Sequence, residues 1–180
     1  MIKAYIDSDS VPVRLREIIL RRLVKENIPA WFVADRPLKD VRQKIAEHTA
    51  SLREPLRSTM DKEELRKVKS PIEMVVVETG ANSADDRIVE MAEAPGLAIT
   101  HDIPLAERLI KKGVTVIDDR GNVFSEENIR ERMSERAYMA EFRENGIFIK
   151  AQKGMTDKDV NAFSNALDRE LQKLKKTHGA

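Results

Sequence analysis

Near the start of the chain, Ile6-Asp7-Ser8-Asp9-Ser10-Val11-Pro12 sets two carboxylates and two hydroxyls between a strand-like apolar run and a proline. Carboxylates at i and i+2 project to one side wherever extended geometry persists. Placed together they repel unless one takes a proton or a cation lies between them. Such a pair suits a hard divalent cation and hydrolysis of a phosphate ester. It also suits phosphoryl transfer, with the first acid as nucleophile and the second as general acid and base. A strand-to-helix turn uses the same residue types for Asx turns and caps, so alone the stretch leaves punctuation and chemistry equally open.

Two further segments bring acids. Ser83 to Asp86 reads as a helix start, and acids in a first turn complement the helix dipole. Asp85 precedes Ile88, Val89 and Ala92 at helical spacing and so lies on the inward stripe, whereas Asp86 is turned about 100° away and suits capping. A charge on an inward stripe needs a partner, which makes Asp85 the candidate ligand. Thr100-His101-Asp102-Ile103-Pro104 closes another apolar run, with a cap role again open to Asp102. Asp118-Asp119 closes one more. Ser8, Ser10, Asn82 and Thr100 are candidates for binding phosphate or metal-bound water, with turn and cap hydrogen bonds as the structural alternative. Arg14, Arg87, Arg108 and Arg120 are candidate phosphate contacts. His101 is placed to assist a proton transfer, while His48 and His178 fall in segments that read as exposed.

The elements that must position these residues alternate in type. Apolar runs at 2–6, 29–34, 72–77, 97–100 and 114–117 read as strands, and helical spacing fills the intervals between them. The alternation predicts an α/β fold with a mainly parallel five-stranded sheet flanked by helices. In such sheets ligands bind beyond the carboxyl ends of the strands, where Asp7, Thr79, Asp102 and Asp118 would all lie. Residues 37–70 read as a charged helical insertion within a single domain spanning 1–180. Residues 125–180 read as a helical extension with helices at about 126–144 and 156–176. A Thr156-Asp-Lys-Asp159 capping box opens the second, whose stripe of Val160, Phe163, Leu167, Leu171 and Leu174 must pack on this domain or on a second copy of the chain.

Composition narrows the function classes. The absence of cysteine removes thiol catalysis, thiolate zinc sites and disulfides, and fits a reducing, cytoplasmic setting. No apolar run approaches a membrane span or a signal-peptide core. Lys plus Arg is 32 against 31 Asp plus Glu, so the whole chain does not advertise a polyanion partner. From Arg36 to Ser70, however, ten basic residues face six acids. That local excess could meet phosphates, and the 4% aromatic content argues against recognition by base stacking.

Taken in order, D-S-D-S-V-P, A-D-D-R-I-V, T-H-D-I-P-L-A, I-R-E-R-M-S-E-R-A-Y-M and R-E-N-G resemble the YaiI/YqxD family of bacterial proteins, grouped with the PIN-like nuclease domains. The resemblance covers 2–35 and 72 to about 172. It implies a PIN-like fold, binding of Mg²⁺ or Mn²⁺, and cleavage of RNA or another nucleic acid by Asp7, Asp85 and Asp102. Asp9 matches the second acid of the family's D-x-D opening and joins those three as an implied metal ligand. The family opening carries Cys where this chain has Val11, and typical members have a shorter connection at 37–70. Two other readings stand beside it: a non-catalytic module that binds RNA or protein, and a haloacid dehalogenase-like phosphatase using Asp7 and Asp9. The latter finds no role for Asp85 or Asp102.

Overall fold

The computed structural model describes residues 1–80, 82–146 and 154–178. Parts of the expected C-terminal extension, residues 147–153 and 179–180, lie outside them. The elements run β1 (Lys3–Asp7), α1 (Val13–Glu26), β2 (Ala30–Ala34), α2 (Lys39–Arg53), a 3-10 turn (Glu54–Leu56), α3 (Lys62–Lys67) and β3 (Ile72–Val76). They continue with α4 (Ser83–Met91), β4 (Gly96–Ile99), α5 (Ile103–Lys111), β5 (Thr115–Ile117), β6 (Val123–Phe124), α6 (Glu126–Glu144) and α7 (Asp157–His178).

The sheet has six strands in the order β3-β2-β1-β4-β5-β6, parallel throughout except for β5–β6. The fold is therefore the expected α/β one with an added sixth strand. β6 is two residues long, too short for any periodic pattern to announce it. It pairs with β5 across the turn capped by Asp118, whose carboxylate accepts the backbone N–H of Arg120 and of Asn122.

Both faces of the sheet are covered, which is why its strands read as continuous apolar runs. Ala4, Ile6, Ala30, Phe32, Leu97 and Ile99 face one core with α1, α2 and α7, while Tyr5, Val33, Ala98 and Val116 face the other with α4, α5 and the start of α6. The order 3-2-1-4-5 explains the division. The chain steps outward from β1 to β3, then crosses back and steps outward on the opposite side. Right-handed crossovers taken in opposite directions put their helices on opposite faces.

Segment 37–70 makes the parallel crossover from β2 to β3, with Val41 in the core and Ile45 packed against it. It is a connection the topology requires, to which the 3-10 turn and α3 are added. His48, expected in an exposed segment, is buried, and its Nδ1 lies 2.9 Å from the Ser70 hydroxyl. α7 closes the α1 face. Asp159 accepts from both the N–H and the hydroxyl of Thr156, as the capping pattern requires, and Val160, Phe163, Leu167, Leu171 and Leu174 all enter this chain's own core. That stripe is thus buried within this chain. At Gly121, φ is +83° and a Cβ would meet the Ala162 carbonyl oxygen at 2.7 Å, so only glycine lets the β5–β6 turn approach α7 this closely.

Candidate functional site

Between β1 and β4 the strand order reverses, and in open parallel sheets ligands bind in the crevice outside such a switch point. Strand alternation puts Asp7 on the same face as Tyr5, and Thr100 on the same face as Ala98. Ile6 is in register with Ile99, so Asp7 and Thr100 follow side by side at the head of the crevice. The Thr100 hydroxyl donates to Asp7 Oδ2 at 2.7 Å and accepts the Asp102 N–H at 3.0 Å. Asp102 caps α5, with Oδ1 taking the Leu105 N–H at 2.9 Å.

Asp85 arrives from α4, which packs on this face. Burial first, then the Asp102 and Asp7 carboxylates, push its carboxyl up to about 6. Arg108 opposes that rise but is engaged elsewhere, pairing with Asp86 at 2.8 Å. Asp85 is half-buried, in keeping with its place on the inward stripe. Asp86, expected to cap α4, instead ties α4 to α5, and the cap position falls to Asn82, whose side chain makes no capping bond.

Asp7 Oδ1, Asp102 Oδ2 and both oxygens of Asp85 have no hydrogen-bond partner among the described residues. Since no buried side-chain oxygen there lacks a partner, none of these is wholly shut off from solvent. They offer a hard cation the donor type it prefers. Among the described residues no three His, Asp or Glu side chains already stand in a metal-holding arrangement. The chemistry of this donor set still fits Mg²⁺, which keeps several waters and is commonly held by one or two carboxylates.

The other predicted residues go elsewhere. Extended geometry stops at Asp7, so Asp9 does not share its side. Asp9 Oδ2 accepts the Asp35 N–H at 2.9 Å and Oδ1 lies 3.5 Å from Arg36. The i, i+2 convergence is corrected accordingly, and the phosphatase geometry has no second acid beside Asp7. Ser8 donates to the Ile6 carbonyl and Ser10 to that of Asp7, both shaping the turn. Arg14 pairs with Asp157, Arg87 with Glu90 and Arg120 with Asp159. Asn82 is exposed with φ 63°.

One side chain escaped sequence reasoning. Arg16 is buried, with Nε 2.9 Å from Asp40 and its Nη1 donating to the carbonyls of Ser8 and Val11, so it clamps the turn that carries Asp7. It lies four and seven residues before the buried Leu20 and Leu23, and the inward-charge rule that selected Asp85 would have selected it too. Asp119, read from the sequence only as an acid after a strand, sits 3.8 Å from His101 and raises that imidazole above its ordinary range. Val11 itself is buried in the core, a position that suits a small hydrophobe such as the family's cysteine.

Asp85 carries a stability signature. A carboxyl raised from 3.8 to about 6 in the folded state binds more protons folded than unfolded between those values, so stability falls as pH rises through that window. Asp85→Asn is expected to stabilise the fold by roughly 1 kcal/mol at pH 8, after discounting for partial exposure, and to change little at pH 4. Urea denaturation at the two pH values measures this.

The family model described as Uncharacterized BCR, YaiI/YqxD family matches residues 40–173. A UPF0178 protein of Myxococcus xanthus (strain DK1622) is 38% identical over 175 residues, 97% of each chain, so segment 37–70 has a counterpart there. A UPF0178 protein of Citrifermentans bemidjiense is 37% identical over 178 residues, 98% of this chain and 97% of its own. One from Pseudomonas aeruginosa (strain UCBPP-PA14) is 33% identical over 177 residues, 97% of this chain and 92% of its own. No solved structure gives a significant match.

Proposed function

Since this chain belongs to the uncharacterised YaiI/YqxD family, we propose, from its own residues, that it is a divalent-cation-dependent phosphodiesterase acting on RNA. The observation that carries the reading is that Asp7 and Asp102 are joined through the Thr100 hydroxyl at the crevice where the strand order reverses, with Asp85 on α4 near enough to feel both charges. Burial first, and then the Asp102 and Asp7 charges, keep the Asp85 carboxyl raised. Structural capping accounts for one oxygen of Asp102 and a hydroxyl bond for one of Asp7. It leaves Asp85 without a purpose.

On this reading Asp7, Asp85 and Asp102 would hold Mg²⁺ or Mn²⁺, with waters completing its shell. A cation bound there would neutralise charge on the phosphodiester and lower the pKa of a water. Thr100 fixes the orientation of Asp7, and Arg16 fixes the turn beneath it. His101 at the rim is placed to exchange a proton with substrate.

Mn²⁺ or Mg²⁺ is expected to raise the melting temperature of the wild type by a few degrees, as a ligand specific for the folded state does, and not that of Asp85→Asn. The same ions should support hydrolysis of labelled RNA that EDTA abolishes. Absence of both effects at millimolar cation would overturn the reading.

The non-catalytic alternative draws on one observation, the absence of a preformed metal geometry among the described residues. It predicts RNA affinity that is unchanged in EDTA and in every Asp variant, with no turnover.

A further inference from the structure

β3 is the edge strand of the sheet, and α2 lies along it. Arg42, Ile45, Thr49 and Arg53 recur at three- and four-residue spacing on one stripe of α2 and face Lys69, Ser70, Ile72, Glu73 and Met74 across a groove of about 670 Å³. A second, smaller hollow at Pro37, Lys39, Arg42 and Gln43 joins it through the shared Arg42. The 15 residues of α2 give the track a length of roughly 22 Å. It ends at the carboxyl end of β2, where Arg36 meets Asp9, two residues beyond Asp7.

The cations lining this groove are not neutralised by acids, whereas those that border the acidic crevice are. Around the acidic crevice and along α7, Arg14, Arg22, Arg108, Arg120 and Lys175 all pair with acids. Lys39, Arg42 and Lys69 are exposed, and their side chains make no hydrogen bond or ion pair among the described residues. Arg53 spends two donors on the Val68 and Arg66 carbonyls, which holds the far wall in place but leaves its charge uncompensated. Glu73 is the one acid lining the larger hollow. Ile45, Ile72 and Met74 give the floor an apolar character, and no aromatic side chain lines it. Unneutralised cations spaced along an open groove match a phosphate backbone in charge. The missing aromatics remove base stacking, so binding there would not depend on sequence.

The geometry points to the α2–β3 groove as a binding track for the sugar-phosphate backbone of single-stranded nucleic acid, leading the strand to the Asp7–Asp85–Asp102 crevice. This rests on the nucleic-acid reading of that crevice, but its test does not require hydrolysis. The measurement is fluorescence anisotropy of a labelled oligouridylate about twelve nucleotides long, titrated in EDTA at several salt concentrations.

The double variant Arg42→Glu/Lys69→Glu should bind roughly tenfold more weakly, and its log-log salt slope should shrink by about 1.4, as expected for two lost phosphate contacts. Arg42→Gln/Lys69→Gln should show the same slope change with a smaller loss, and circular dichroism checks that both variants fold. Lys176→Glu, at the end of α7, should bind as the wild type does. Wild-type affinity and slope in both groove variants would overturn the track, even if cation-dependent cleavage persists. So would displacement of the oligonucleotide by polyglutamate but not by unlabelled oligouridylate, which would assign the groove to an acidic protein segment. Groove-dependent binding with no cleavage under any cation would sustain the track and sink the phosphodiesterase.

Discussion

Asp7→Asn is expected to lower RNA hydrolysis at least a hundredfold while leaving the fold intact. Losing an outer partner of a metal ligand typically costs roughly 10–100-fold, and a group proposed to touch the cation directly should cost no less. The substitution is chosen for what it preserves. Asp7 is buried at the end of β1, and an asparagine oxygen can still accept the 2.7 Å bond from the Thr100 hydroxyl. What disappears is one negative charge and one anionic oxygen facing the crevice. Relief of repulsion gives a second readout, since without the Asp7 charge the Asp85 carboxyl should titrate closer to its ordinary value. An NMR titration of Asp85 in both proteins follows that change without any turnover assay. Hydrolysis at the wild-type rate in Asp7→Asn would remove Asp7 from the chemistry altogether.

Phe163→Ala is expected to destabilise the protein by roughly 3–5 kcal/mol, the usual cost of truncating a large, fully buried aromatic. Phe163 is wholly excluded from solvent, in the core shared by α1, the sheet and α7. The effect should be independent of protein concentration, because the stripe packs within its own chain. Denaturation at two protein concentrations tests that directly. A midpoint that rises with concentration would mean that α7 is shared between copies.

The alternation of strands and helices was legible because each strand is buried on both faces and each helix shows one apolar stripe. Register and topology then explain which acids meet. Asp85 could be singled out because a charge three and four residues before Ile88 and Val89 must face inward. Asp9 could not be placed, because whether extended geometry survives past Asp7 depends on Asp35 and Arg36, which come from another strand's end. The role of segment 37–70 was hidden for a related reason. Its surface charges obscure the few positions, Val41 and Ile45 above all, that dock it on the sheet. His48 shows the reverse case, a polar residue buried because Ser70, 22 positions later, supplies its partner. Arg16 was legible and overlooked, since Leu20 and Leu23 already marked its face.

The three ion pairs between α1 and α7, Arg14–Asp157, Arg22–Asp168 and Glu26–Lys175, advance together along both helices, so the two run parallel over the same core. Arg14 and Asp157 are 143 positions apart. At roughly 5–20 residues per second, synthesis of that interval takes about 7–30 s. Throughout that time Leu15, Ile19 and Leu23 lack part of their eventual cover. The nascent chain must therefore carry an open apolar flank until α7 emerges, which makes α7 the piece that closes this core and the wait for it the period of greatest exposure to chaperones and misassembly.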